Sequence, residues 1–516
     1  MTTGIVGRRS VPRVTARPML YLLAPIASGA LAALYAEEVI WALLVGVPVL
    51  TVLLLHHATG RGFFVSAPAL LGMTYLGMSY LGAVLPGRTR DALPSTSVQE
   101  TATMYMLAIV GFCVAGLLVA SHSGLRPSVE VPSLQRRLRV LAPPRNSRTI
   151  LKLLILMVTI SLAVSFVLYY QGRLPLVEAL SAAIEDPSGT EAREIYLDAR
   201  LGLYYSGIAM LEQFRYGLGP FANLTLVVLA MIWHHRAYAW LGIALIPVTS
   251  LMLLGSSQRH PIAAFLLWAA ITVAYVAPAT FRRAIAPLIV VGVVTLWLQT
   301  YLIGRFTKTG DVTADILASL LQLFDRFVAT HSSLAFELVE YVRHLPPRLG
   351  NTWLNDLVNY VPFIPDQPQA FSLELFTLVT GRTGSISPLS LFEGYANFGF
   401  AGPFLVGVVL GTLLMIIHVA VLRLAGRSHV AAIDVIFLAY VTYSFTRAGY
   451  GGLISPLSVG LIPATAVWVF LRSLAESGPT TATPSVVDQL DDEQLVVGTS
   501  RWPIGDGGSS ARPASS

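Results

Sequence analysis

The chain has 516 residues, of which 54% are hydrophobic and 12% charged, with a mean hydropathy of +0.67 and a formal net charge of +6. Soluble domains carry about 25% charged residues, so this composition excludes a soluble globular protein and points to a polytopic membrane protein. The positive balance follows from arginines gathered at the cytoplasmic ends of helices and does not require nucleic acid. The single cysteine, Cys113, excludes an intramolecular disulfide and a Cys-based zinc site.

Apolar runs of about 17–25 residues are long enough to cross a bilayer, and about twelve can be read. They fall at 18–37, 39–55, 63–84, 102–120, 150–170, 217–234, 237–255, 261–278, 285–302, 399–421, 430–447 and 453–472. The expected fold class is therefore all-α, a polytopic helical membrane protein over residues 1–475. A tail over 476–516, rich in Ser, Thr, Pro, Gly and Asp, is too polar to fold. No small-residue cleavage site follows the first run, so it is expected to stay as an anchor. No internal repeat is visible, which excludes a solenoid.

Orientation has its own test. Arg8, Arg9, Arg13 and Arg17 precede the first span and put the N-terminus in the cytoplasm. The inside segments that follow are basic in turn: Arg61; Arg126, Arg136, Arg137, Arg139, Arg145 and Arg148; Arg236; Arg282 and Arg283; Arg423 and Arg427; Arg472. An even number of spans and cytoplasmic termini satisfy this pattern.

Two long extracytoplasmic loops remain, 171–217 and 303–398. Long loops usually have a function. In the second, Ile316, Leu320, Phe324, Phe327, Leu334 and Leu338 recur at mostly helical spacing, which predicts an amphipathic helix. Trp353, Tyr360 and Phe363, among prolines, predict an interfacial segment. The loop ends in Ser385 to Phe404, SISPLSLFEGYANFGFAGPF, where Glu393 and Asn397 share one side of a helical turn.

Arginines on the outside are not explained by the orientation rule. Arg173, Arg343, Arg348 and Arg382 fit solvated or headgroup contacts. Arg200 and Arg215 fit either role, and Arg193 lies among Glu191, Glu194 and Asp198, where a salt-bridge network competes with ligand binding. Arg259, Arg326 and Arg447 are the strongest functional candidates, Arg259 and Arg447 because apolar helices pin them at the membrane edge. A guanidinium fork suits phosphate. Candidates for proton transfer are Glu393, His331, Glu37, Glu38, Asp325 and His260. HExxH, GxSxG and nucleotide-binding glycine motifs are missing from the sequence.

Four segments carry a family resemblance: GRLPLVEALS (172–181) followed by Arg193, GSSQRHPIAAFLLW (255–268), FDRF (324–327) and SPLSLFEGYANFGFAGPFLVGVVLG (387–411). With the two outside loops, they resemble the O-antigen polymerase family (Wzy-type, oligosaccharide repeat-unit polymerases) over about residues 150–470. The Gly–Ser–x–Arg segment carries an additional residue here. The resemblance implies a glycosyltransferase without a metal or other cofactor. It would join repeat units of a surface polysaccharide on polyprenyl (undecaprenyl) pyrophosphate at the outer face of the cytoplasmic membrane. It implies substrate binding by Arg193, Arg259, Arg326, Arg447, Tyr395 and Asn397, and proton removal by Glu393, with His331 and Glu37 as alternatives. A chain-length regulator and a flippase are implied partners. A glycan ligase and a transporter or flippase remain as alternatives. A transporter is expected to show two matching halves, which this sequence lacks.

Overall fold

A computed structural model describes residues 18–36, 39–59, 95–123, 143–185, 190–200, 213–255, 260–277, 313–323, 339–359, 390–425, 430–451 and 460–477. It also describes isolated residues, including several within 286–301 and 371–377 and residues 311 and 453. The described residues form helices and turns, without strands.

The helices are α1 (Pro18–Ala36), α2 (Ile40–Thr59), α3 (Ser95–Ser123), α4 (Ser147–Val164), α5 (Pro175–Glu185), α6 (Thr190–Arg200), α7 (Gly219–Ile232), α8 (Arg236–Leu254), α9 (His260–Val276), α10 (Asn351–Asn359), α11 (Ser390–Phe398), α12 (Ala401–Ala425), α13 (Ala431–Gly451) and α14 (Ile462–Glu476). A π-helical turn extends α4 over Ser165–Tyr169, and another leads into α7 over Gln213–Leu218.

Five described stretches are long and apolar enough to cross a membrane: Ser97–Ser123, Ser147–Tyr169, Gln213–Ile232, Arg236–Leu254 and Ala401–Leu424. Shorter apolar helices lie at Ile40–Leu55, Phe265–Val276, Thr313–Leu323 and Ala431–Phe445. The expected span 63–84 and nearly all of the expected tail lie outside the described residues, as does half of 285–302. Outward-facing side chains on the long helices are apolar, among them Leu156, Ile160, Trp240, Leu241, Val409 and Ile416. Such faces suit lipid, and these helices make the chain a membrane protein.

The packing sets the direction of each helix. A Cβ on Gly407 would strike the Ala108 carbonyl oxygen, and one on Gly411 that of Phe112. Glycines four apart on α12 thus let it lie against α3 backbone to backbone, a common device where lipid supplies no hydrophobic drive between helices. The matched order of these contacts makes α3 and α12 parallel. Arg423, late in α12, accordingly donates to the Ser123 carbonyl at the end of α3 (3.1 Å). Arg472 near the end of α14 meets Asp434 at the start of α13 (3.1 Å). The Asn146 amide ahead of α4 donates to the Leu474 carbonyl.

One end of the bundle therefore gathers the starts of α4 and α13 with the ends of α3, α12 and α14. The opposite end gathers the starts of α3 and α12 with the ends of α4 and α13, and there the loop helices α10 and α11 sit. This is the loop end below.

Two apolar clusters fill the bundle. One joins α4, α7, α9, α13 and α14, with Trp268 stacked on Phe221 (5.7 Å between centroids) and edge-on to Tyr440 (4.9 Å). The other joins α2, α3, α11 and α12 around Tyr105, Phe112, Phe392 and Leu410. Burial of such side chains drives the packing at about 1.5–3 kcal/mol each in water, while in lipid close packing takes that role.

The first long loop contains two helices, α5 and α6, and its far boundary moves back, because the segment re-enters the bundle at Gln213. Arg215 is consequently a bundle residue, only 2% exposed. Trp353 lies on the regular helix α10, while Tyr360 and Phe363 lie outside the described residues.

Candidate functional site

α11 ends at Phe398, and the turn into α12 passes through Gly399 at φ +59°, a conformation that favours glycine. Gly394 and Gly402 then meet so closely that a Cβ on Gly394 would lie 2.7 Å from the Gly402 carbonyl carbon. This corner folds α11 back onto the first turns of α12 and turns Glu393 inward.

Asn397 holds the next layer. Its Oδ1 accepts from the Gly350 N–H (3.0 Å) and, at the long limit, from the Thr352 N–H (3.5 Å). Its Nδ2 donates to Thr352 Oγ1 (2.6 Å) and to the Glu393 carbonyl (2.9 Å). A helix start leaves several N–H groups without intrahelical partners, and Asn397 caps those of α10 from across the fold. Leu349, at φ +50°, and Arg348 donate their N–H groups to the Asn397 and Ala396 carbonyls (3.0 Å each). The four side-chain bonds use the amide's ordinary hydrogen-bonding capacity. In this arrangement Asn397 positions α10 over α11.

α10 thereby brings Trp353 and Asp356 onto Glu393. Glu393 is 1% exposed, and its Oε2 accepts the Leu453 N–H just beyond the end of α13 (3.4 Å). Burial first, and the Asp356 carboxylate second, push the Glu393 carboxyl up to about 8. The Leu453 N–H and the Trp353 indole act the other way. The indole favours the charged form without making a well-formed hydrogen bond, since Trp353 Nε1 has no partner within bonding geometry. Burial also raises the Asp356 carboxyl, against the opposing effects of Glu393 and the Phe371 N–H. Asp356 Oδ1 is buried without a hydrogen-bond partner.

The described loop-end arginines close this layer. Arg348 forks onto Glu374 (Nη1 to Oε2, 2.6 Å; Nη2 to Oε1) and lies over Phe371 (5.3 Å). Arg343 binds Glu100 at the start of α3 (2.8 and 3.0 Å), with Glu340 at 3.4 Å. Tyr395 is half-buried beside this group, edge-on to Phe400 (5.3 Å), and burial raises its phenol. Both arginines are thus engaged with carboxylates, where solvated or headgroup contacts were expected.

Arg215 is held differently. Its guanidinium donates to Tyr169 Oη (2.9 Å) and to the Leu253 and Met252 carbonyls (3.1 and 3.3 Å), with Tyr216 stacked at 4.2 Å. The last carbonyls of α8, at the negative end of its dipole, and aromatic faces stabilise the buried cation. It ties α4, α7 and α8 together.

Of the residues expected to act, Glu393, Asn397 and Tyr395 share α11. Arg193 lies on α6 and Arg447 on the last turns of α13, but their side chains lie outside the described residues. Arg259, Arg326, His331 and Glu37 lie wholly outside them. Asp356, the partner of Glu393, carries no motif. The available signal was helical spacing that puts Trp353 and Asp356 three apart on one face. Among the described residues no three of His, Cys, Asp and Glu form a metal site. Comparison with protein-family models, curated proteins and solved structures finds no match.

Proposed function

We propose that the chain polymerises lipid-linked oligosaccharide units of a surface polysaccharide, as a glycosyltransferase with its site at the outer face of the cytoplasmic membrane. The chain would cross that membrane about twelve times, with both termini inside. The observation that carries this reading is Glu393: the one carboxylate of the loop-exit segment is buried at the loop end, against a second carboxyl on a loop helix. A raised carboxyl in such a place suits proton transfer. α13, which carries Arg447, runs on to the Leu453 N–H that meets Glu393.

In the reaction, a hydroxyl of the acceptor unit attacks the anomeric carbon of the donor glycan. The new C–O bond forms as the bond to pyrophosphate breaks, and polyprenyl pyrophosphate leaves with the electron pair. The hydroxyl proton passes to the Glu393 site, with His331 as an alternative acceptor. Arg193, Arg259, Arg326 and Arg447 stabilise the charge growing on the leaving diphosphate, the effect of preorganised cations in a transition state. Tyr395 contacts sugar. The donor is already activated by its pyrophosphate, so no nucleotide sugar enters.

The test is the glycan profile of cells lacking the chain. A polymerase leaves single-unit caps where the parent makes a ladder. Loss of all transferred glycan indicates a ligase, and lipid-linked units accumulating at the inner leaflet indicate a flippase. Either result rejects polymerisation.

A further inference from the structure

We infer that Glu393 and Asp356 hold one proton between them and act as a single acid–base unit. The inference concerns the site in the proposed polymerase reading and deepens it, but its structural basis is independent of any substrate. Glu393 is almost wholly enclosed, and among the described residues the hydrogen bond to its carboxylate is the long one from Leu453. Asp356 Oδ1 is buried and lacks a donor. Neither carboxylate forms an ion pair among the described residues. Two ionised carboxylates in contact, Glu393 enclosed and Asp356 half-buried, repel each other, whereas one proton placed between them removes the repulsion and supplies the missing donor.

Among the described residues no cation pairs with either carboxylate. On α10, Asp356 is the charged residue facing Glu393. α3 brings Glu100, which is paired with Arg343, and Tyr105, which lies edge-on to Phe392 (6.1 Å). α12 brings no charged side chain before His418 and Arg423 at its far end. α13 brings Arg447, whose side chain lies outside the described residues.

At neutral pH the unit carries a proton on Glu393 and a negative charge on Asp356. As an attacking hydroxyl releases its proton to Glu393, the proton that Glu393 held passes to Asp356 and neutralises the pair's single charge. The doubly protonated pair returns one proton to water after the transfer. Asp356 is the positioning residue, because it sets which proton Glu393 keeps.

The experiment is an infrared titration of the full chain in phosphatidylcholine vesicles, without substrate. A protonated-carboxyl C=O band should persist at pH 7 and disappear as pH rises through about 8. Glu393→Gln should remove that band. Asp356→Asn should lower its midpoint by about one pH unit or more, with burial keeping it above an ordinary glutamate. Carboxyl-¹³C glutamate in the unaltered chain assigns the band even where a variant fails to fold. A spectrum with no glutamate carboxyl titrating between about pH 6 and 9 overturns the inference, as would result if the Arg447 guanidinium neutralised the pair. The expected titration in a chain that makes no polymer would keep the proton pair and reject the polymerase reading.

Discussion

Asp434 and Glu393 are carboxylates buried at opposite ends of the same bundle, in opposite surroundings. Asp434 accepts from Arg472 (3.1 Å) and from the Trp468 indole (3.0 Å), and Trp468 in turn stacks on Phe437 (4.5 Å). Its Oδ1 is answered by a cation and so ties α13 to α14, although Oδ2 is buried without a partner. Glu393 faces another acid, an unanswered indole and one long backbone bond. A carboxylate matched by a guanidinium suits structure. A carboxyl matched by a carboxyl stores a proton, which suits chemistry.

Four perturbations separate the two sites. The largest effect is expected for Glu393→Gln, which keeps shape and removes the titrating group. Polymer yield from membranes should fall about 100-fold or more, the usual contribution of a proton-transfer group, while the thermal midpoint stays within a few degrees. An unchanged yield would remove Glu393 from the chemistry. Arg472→Ala should do the reverse. It leaves Asp434 buried without its cation and costs on the order of 2 kcal/mol of stability, below the value for a fully enclosed pair because Arg472 is partly solvated. Denaturant or thermal unfolding in detergent reads this, and a neutral result would deny the structural role.

Asn397→Ala should cost about 1 kcal/mol by uncapping α10, and it should speed hydrogen exchange over 351–359 more than in α12. Uniform exchange would mean that α10 is held by something else. The fourth perturbation is pH itself. A carboxyl raised in the folded state contributes stability that is complete below the ordinary glutamate range, shrinks as pH rises, and is gone above about 8. Unfolding followed between about pH 5 and 9 should show that decline, and Glu393→Gln should flatten it.

Much of the bundle was legible because lipid demands long apolar helices, and α3, α4, α7, α8 and α12 announce themselves by length. The loop-exit segment was legible too, since Glu393 and Asn397 share a helical face and the surrounding glycines mark a close corner. What lay between was not. Asp356 becomes a partner of Glu393 through the α10–α11 corner, where Asn397 caps a helix whose first turn, at Thr352, lies 45 residues earlier in the chain. Such long-range capping leaves no periodic trace. Arg215 looked like a loop residue because its neighbours Gln213 and Tyr216 are polar or amphipathic. The π-helical turn and a cage of tyrosines and carbonyls make it an interior one. Arg348 and Arg343 likewise read as solvated cations until Glu374 and Glu100 reach them across the fold.

The most direct test is reconstitution. The purified chain in vesicles receives a polyprenyl-pyrophosphate-linked oligosaccharide unit and nothing else, and the product is resolved by chain length. The account predicts a ladder of multimers with release of polyprenyl pyrophosphate, reduced about 100-fold or more by Glu393→Gln. An active ladder that ignores this substitution, or no chain longer than the unit supplied, would contradict it.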